Sequence, residues 1–189
     1  MNSLVLFRSE YGHTEKYAQW LGESLSTAPI DLADRRPTPL IGADCAIFVL
    51  PVYAANLTAV KRVGQLAEAA PEVPIAIATV SMNDLNSDTN GREEVLGKCK
   101  AALPAPVFKR INWFHLRGGL DYERMRFQHR MLMRMMYGMM RQRAKKGDEK
   151  AQKFCDSYGK SVDFTDRELL EPVLEFARSV NDRKGQANV

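Results

Sequence analysis

The sequence predicts an α/β fold: a doubly wound, five-stranded parallel sheet with helices on both faces. Three observations lead there. The runs at residues 4–7, 44–50 and 74–80 are apolar without alternation, as in parallel strands covered on both sides. Stretches with helical spacing of apolar residues separate them, so strand and helix alternate and short right-handed crossovers suffice. The first run also passes at once through a polar, glycine-containing turn into a helix, which is how an open α/β sheet builds an anion site.

Residues 3–7 form the first strand. The turn that follows reads Ser9-Glu10-Tyr11-Gly12-His13-Thr14. Ser9, Thr14 and the amides between them can wrap one phosphate, and Gly12 permits a turn that a side chain would hinder. The spacing is neither the dinucleotide fingerprint nor a Walker A loop. The alternative is an ordinary strand-to-helix turn with Thr14 near the cap. The first helix spans 14–25, with Tyr17, Ala18, Leu21 and Leu25 on one stripe and Glu15 in its first turn, where the dipole favours it. Residues 29–33 form a weak short strand, and Arg35, Arg36, Pro37 and Pro39 a loop.

Residues 44–50, DCAIFVL, are the central strand, which Pro51 stops. The loop beyond reads Pro51, Val52, Tyr53, Ala54, Ala55, Asn56. It lies at the carboxyl end of the strand, where an open sheet binds its ligand. Tyr53 is a candidate to stack on a flat ring or merely to lie over the loop, and Asn56 is a candidate polar contact. A helix over 58–69 follows, then the buried strand 74–80. The polar stretch 81–91 sits on the same sheet edge, and Ser81, Met82 and Asn83 are candidates to reach a ring edge or only to connect elements. A helix over 92–102 ends at Pro104 and Pro106, and a last strand is placed at 112–116, ended by Gly118 and Gly119.

The segment from Tyr122 to Lys146 is rich in methionine and arginine and helical in propensity. On a helix, Met125, His129, Leu132, Met136, Met139 and Met140 share a face, and Arg130, Arg134, Tyr137 and Arg141 lie largely elsewhere. Methionines adapt to irregular surfaces. A basic amphipathic helix suits an anionic membrane surface, a lipophilic substrate or a protein partner, and equally suits a cover whose arginines face water. Residues 147–160 read as a polar connector with room for a helical turn. Thr165 and Glu168 form a capping-box pattern before a last helix, which Pro172 must kink or restart near Glu171; residues 181–189 are expected to fray.

At 189 residues the chain is read as one domain, 1–189, with an insertion at about 117–160. The net charge of +4 and pI near 9.0 come largely from that insertion. The first residues hold no secretory signal, no stretch spans a bilayer, and Cys45, Cys99 and Cys155 form no disulfide framework, so a reducing, cytoplasmic location is expected. His13, His115 and His129 lack the carboxylate or cysteine spacing of a metal site. Nucleic acid is disfavoured because the arginines accompany methionines and no recognised motif is present.

These residues resemble the flavodoxin-like superfamily. More closely, they resemble the family of menaquinone-dependent protoporphyrinogen dehydrogenases and related flavodoxin-domain proteins. The first loop matches that family's FMN-phosphate loop in form. Gly119-Leu120, Tyr122 and the Arg- and Met-rich helix resemble its long insertion; Thr165-Asp166 and Phe176-Ala177-Arg178 resemble its closing segment. The resemblance implies FMN phosphate on Ser9, Gly12, His13 and Thr14, with the ring between residues 51–56 and 81–83. It implies oxidation of protoporphyrinogen, a quinone acceptor and a place at the inner face of the cell membrane. Arg117, Arg124 and Arg126 are its candidates for porphyrin carboxylates, and Arg130 and Arg134 join them for substrate or membrane contact. The loop after the third strand departs from the family's usual small residue, Arg and Tyr-Gly-His run, so flavin binding is better supported than that substrate. The rivals are a soluble flavodoxin-type carrier exchanging electrons with a redox protein, an NAD(P)H-dependent quinone reductase, and a non-enzymatic binding protein on this fold. No acid–base dyad is legible; the expected chemistry belongs to the flavin.

Overall fold

Apolar runs become strands here where a parallel neighbour completes their hydrogen bonds. The computed structural model describes residues 2–34, 40–123, 125 and 127–187, so the expected loop at Arg35, Arg36, Pro37 and Pro39 lies outside the described residues. Strand β1 (Ser3–Phe7) leads into α1 (His13–Leu25) and the two-residue β2 (Ile30–Asp31). Strand β3 (Cys45–Tyr53) turns back on itself as β4 (Asn56–Leu57), followed by α2 (Val60–Ala69) and β5 (Ile75–Ser81). Then come α3 (Thr89–Ala102), α4 (Ala105–Arg110) and β6 (Ile111–Arg117). The order across the sheet is β2-β1-β3-β5-β6, all parallel, with β4 antiparallel on the end of β3.

Both faces are covered, which is why the strands read as unbroken apolar runs. On one face Leu6, Phe48, Leu50 and Ile77 pack under Val63 and Ala67 of α2 and Val95 and Cys99 of α3. On the other, Val5, Ile47, Val49 and Ala78 pack under Tyr17, Ala18 and Leu21 of α1 and Val173 and Ala177 of the last helix. Each fully buried aliphatic side chain is worth about 1.5–3 kcal/mol, so these layers hold the sheet edge in place.

The chain divides into two compact units, Met1–Gly118 with Phe164–Val189, and Gly119–Asp163. The second has its own short ladder, β7 (Gly119–Leu120) against β8 (Val162–Asp163), and two helices, α5 (Phe127–Ala144) and α6 (Glu149–Ser157). Asp148 caps α6 by accepting from Ala151 N at 3.0 Å, so the expected connector holds a full nine-residue helix. In α5, His129, Met136 and Met140 are half-buried, as is Tyr137; Leu132 and Met139, expected on the same face, are exposed.

Four local readings are corrected. Pro51 does not stop β3: its carbonyl still accepts from Thr58 N at 3.1 Å, and the strand runs on to Tyr53. Pro104 and Pro106 open a helix, since Pro104 is the N-cap of α4 and Pro106 lies in the first turn, where a missing amide loses no helical bond. Asp166, not Thr165, caps the turn at Arg167–Leu170, accepting from Glu168 N at 2.9 Å, and Thr165 Oγ1 instead accepts from Lys16 Nζ at 2.7 Å. The last helix, α7 (Glu171–Ala187), restarts at Glu171 with Pro172 in its first turn, one of the two forms expected of it, but it stays helical through Ala187 where fraying is expected.

Candidate functional site

Strands β1, β3, β5 and β6 point the same way, so the turns after them share one edge of the sheet. The chain leaves β1 towards β2 and returns across it to β3, so winding reverses between β1 and β3, the place where open sheets bind ligands. Phe7 pairs with Val49, and β3 continues four residues beyond that level. The first loop therefore begins beside an overhanging wall, and Arg8 N donates to Val49 O at 3.2 Å to fix its exit.

The loop is held open by its own bonds. Gly12 N donates to Ser9 Oγ at 3.1 Å, and Lys16 N donates to Gly12 O at 2.9 Å. Gly12 has φ +92° and is the N-cap of α1, with no side chain capping the helix. A Cβ there would meet nothing within 4 Å, so glycine is required by the backbone angle and not by crowding. The first-turn amides have no intrahelical acceptors and lie at the positive end of the dipole. Ser9 Oγ accepts from Gly12 and keeps its own proton to donate. Thr14 is buried below; Glu10, Tyr11 and His13 are half-buried around it. This donor set of hydroxyl and amides suits a phosphate, against which the carboxylates of Glu10 and Glu15 act.

The wall beside it ends in a two-residue hairpin. Val52 pairs with Leu57 and Tyr53 with Asn56, and the turn between them places Ala54 at φ +47° and Ala55 at φ +60°. Alanine resists this left-handed region by about 1–2 kcal/mol per residue. Asn56 Nδ2 and Lys98 Nζ both donate to Ala54 O, at 2.9 and 3.2 Å, and steady the turn. Asn56 thus has a structural partner. The hairpin aims Tyr53 at Tyr11: their rings meet edge to face, 5.9 Å between centroids and 85° between planes. Tyr11 and Tyr53 are the predicted residues that the fold brings together across the switch point; Pro51 and Val52 sit in the ladder.

After β5, Ser81 Oγ donates to Asn83 O at 2.5 Å and closes its own turn, with Met82 half-buried and Asn83 exposed. Asn86 Nδ2 reaches His115 O at 2.9 Å. His115 Nδ1 lies 2.7 Å from Thr79 Oγ1, its register neighbour on β5. Burial, and then the charge of Arg92, push the His115 pKa below its ordinary value. Arg117 holds its guanidinium 4.0 Å over the Phe164 ring, its carbonyl accepts from Tyr17 Oη at 2.7 Å, and its Nε is buried without a hydrogen-bond partner. Tyr17 Oη also accepts from Asp166 N at 3.1 Å, tying the closing segment to α1.

In the second unit, Arg130 donates to Tyr122 O and Glu123 O, and Arg134 is exposed. Arg124 and Arg126 lie outside the described residues. Among the described residues no group of three His, Cys, Asp or Glu could hold a metal. The Thr79–His115 contact had no sequence signal, because strand register alone creates it.

Residues 4–149 match the flavodoxin-domain family. Curated protein sequences give no match. A WrbA-like flavodoxin from Agrobacterium tumefaciens is 19% identical, with a TM-score of 0.41 over 60% of this chain and 82% of that one. A putative flavoprotein from Bacteroides uniformis is 12% identical, with a TM-score of 0.38 over 61% of this chain and 88% of that one. The family match alone carries the assignment.

Proposed function

This chain belongs to the flavodoxin-domain family, and on that premise we propose that it is an FMN-binding redox protein that passes electrons at the carboxyl edge of its sheet. The observation that carries the reading is Gly12 at φ +92°, opening a helix N-terminus that no side chain caps, with room where a Gly12 Cβ would stand. Ser9 Oγ and the amides of the first turn would hold the phosphate, and Tyr53, backed by Tyr11, would lie against the ring. When bound, FMN supplies hydride or single-electron transfer. The protein's part is to bind the phosphate, orient the ring and set how much of it water reaches.

The electron-carrier form of this reading needs no acid–base pair. The finer form, in which protoporphyrinogen is the donor and a quinone the acceptor, rests on the resemblance of the insertion and closing segment. Arg117 is the described cation on this edge that suits a porphyrin carboxylate. Purified protein reconstituted with FMN should acquire flavin absorbance at near-stoichiometric content. Colourless protein that ignores FMN would end the proposal. Turnover with protoporphyrinogen and a quinone would select the finer form, and reduction only through a protein reductase the carrier.

A further inference from the structure

Helix α5 has two apolar sides, and one of them is not packed. His129, Met133, Met136, Tyr137 and Met140 are half-buried, and Tyr137 stacks on Tyr158 at 4.2 Å. On the other side Phe127 is 76% exposed, Met135 61%, Met131 57%, Met139 51% and Leu132 41%. Their spacing sets these five on one continuous stripe. A surface helix ordinarily turns charge outward, so this stripe runs against the rule.

Its surroundings are cationic. Residues 127–146 hold four arginines, two lysines and no carboxylate, and the chain total of +4 leaves the remainder net negative. Arg130 holds two carbonyls, and Arg143 pairs with Asp148 at 2.8 Å. Arg134 and Arg141 stand exposed along the stripe, and Lys145 and Lys146 are exposed past its end.

We propose that α5 lies in the plane of an anionic phospholipid surface. Phe127, Met131, Leu132, Met135 and Met139 enter the boundary between headgroups and acyl chains, and Arg134, Arg141, Lys145 and Lys146 meet lipid phosphates. Flexible methionine side chains fit a fluid surface without a shaped pocket. A second copy on the same stripe would set these arginines against each other. Nucleic acid would take the charged rim and leave the methionines in water. Among the described residues no helix is long and apolar enough to cross a membrane, so the contact is peripheral. The proposal is independent of the flavin reading.

The test is co-sedimentation of the full chain with vesicles of phosphatidylcholine, with and without one quarter phosphatidylglycerol, at low and high salt. Binding is expected on the anionic vesicles at low salt, and it should fall at least about tenfold at high salt or without phosphatidylglycerol. The triple variant M131Q/M135Q/M139Q and the double variant R134Q/R141Q should each lower partitioning roughly tenfold or more, with unchanged far-UV dichroism and FMN titration. Absence of binding at low salt overturns the proposal, as does binding that both variants retain. A concentration-dependent dimer that the methionine variant abolishes, without vesicle binding, also overturns it.

Discussion

Tyr11, on the loop after β1, and Tyr53, at the end of β3, meet edge to face with ring centroids 5.9 Å apart. The contact joins the two turns that flank the reversal of winding. An aromatic pair of this kind is worth about 0.5–1.5 kcal/mol beyond its buried area. Tyr53→Leu should therefore weaken FMN binding by a comparable amount and reduce the quenching of bound flavin fluorescence that a stacked ring causes. Unchanged affinity and quenching would mean that Tyr53 only covers the loop.

The first loop makes a separate prediction. Thr14→Ala removes a hydroxyl at the foot of the helix and should weaken FMN by about 1.5–3 kcal/mol, the value of a hydrogen bond to a charged group. Gly12→Ala tests the backbone instead. At φ +92° the new Cβ meets no atom within 4 Å, so strain alone should lower stability, by about 1–2 kcal/mol in urea denaturation. Full affinity in Thr14→Ala would reduce that residue to a part of the helix start.

Ala54 and Ala55 both occupy the left-handed region in a two-residue hairpin that favours Asn-Gly. Ala54→Asn with Ala55→Gly should stabilise the protein by about 1–2 kcal/mol, read as a higher urea midpoint with an unchanged slope. A lower midpoint would show that the hairpin adopts another turn.

How far the sequence reveals this molecule depends on whether a feature is local. Strand β1 is legible to the residue because its apolar run is bounded by polar neighbours, and Ser9, Gly12 and Thr14 declare a loop through their spacing. The β3–β4 hairpin is not legible, because Tyr-Ala-Ala-Asn carries no glycine at a turn that normally demands one. Helix α4 is hidden by Pro104 and Pro106, which read as breakers until the second falls in a first turn. The Tyr11–Tyr53 and Thr79–His115 contacts depend on register across the sheet, which no short window contains.

His115 gives stability a pH dependence. Its folded-state pKa is pushed below the ordinary 6.5 by burial first and by Arg92 second. The unfolded chain then binds the proton more readily, so stability rises with pH across this window. The contribution is full above 6.5 and is lost as pH falls through the folded-state value. His115→Gln should flatten the stability profile on the acid side of 6.5 in urea titrations. A slope that survives the substitution must come from other groups.

Thiol reactivity tests the packing of α3. Burial pushes the Cys99 thiol up to about 11, while Cys45 is buried and donates to Ser3 Oγ at 3.4 Å. The thiolate is the reacting species, so near pH 8 only about one Cys99 in a thousand is in the reactive form, and the core also shields it. Cys155, half-buried in α6, should be alkylated first in native protein, with Cys45 and Cys99 following only on unfolding. Peptide mapping by mass spectrometry after a short alkylation reads the order directly. Early labelling of Cys99 would mean that α3 does not lie on the sheet beside Phe48 and Ile77, and the wall behind the β3–β4 hairpin would lose its support.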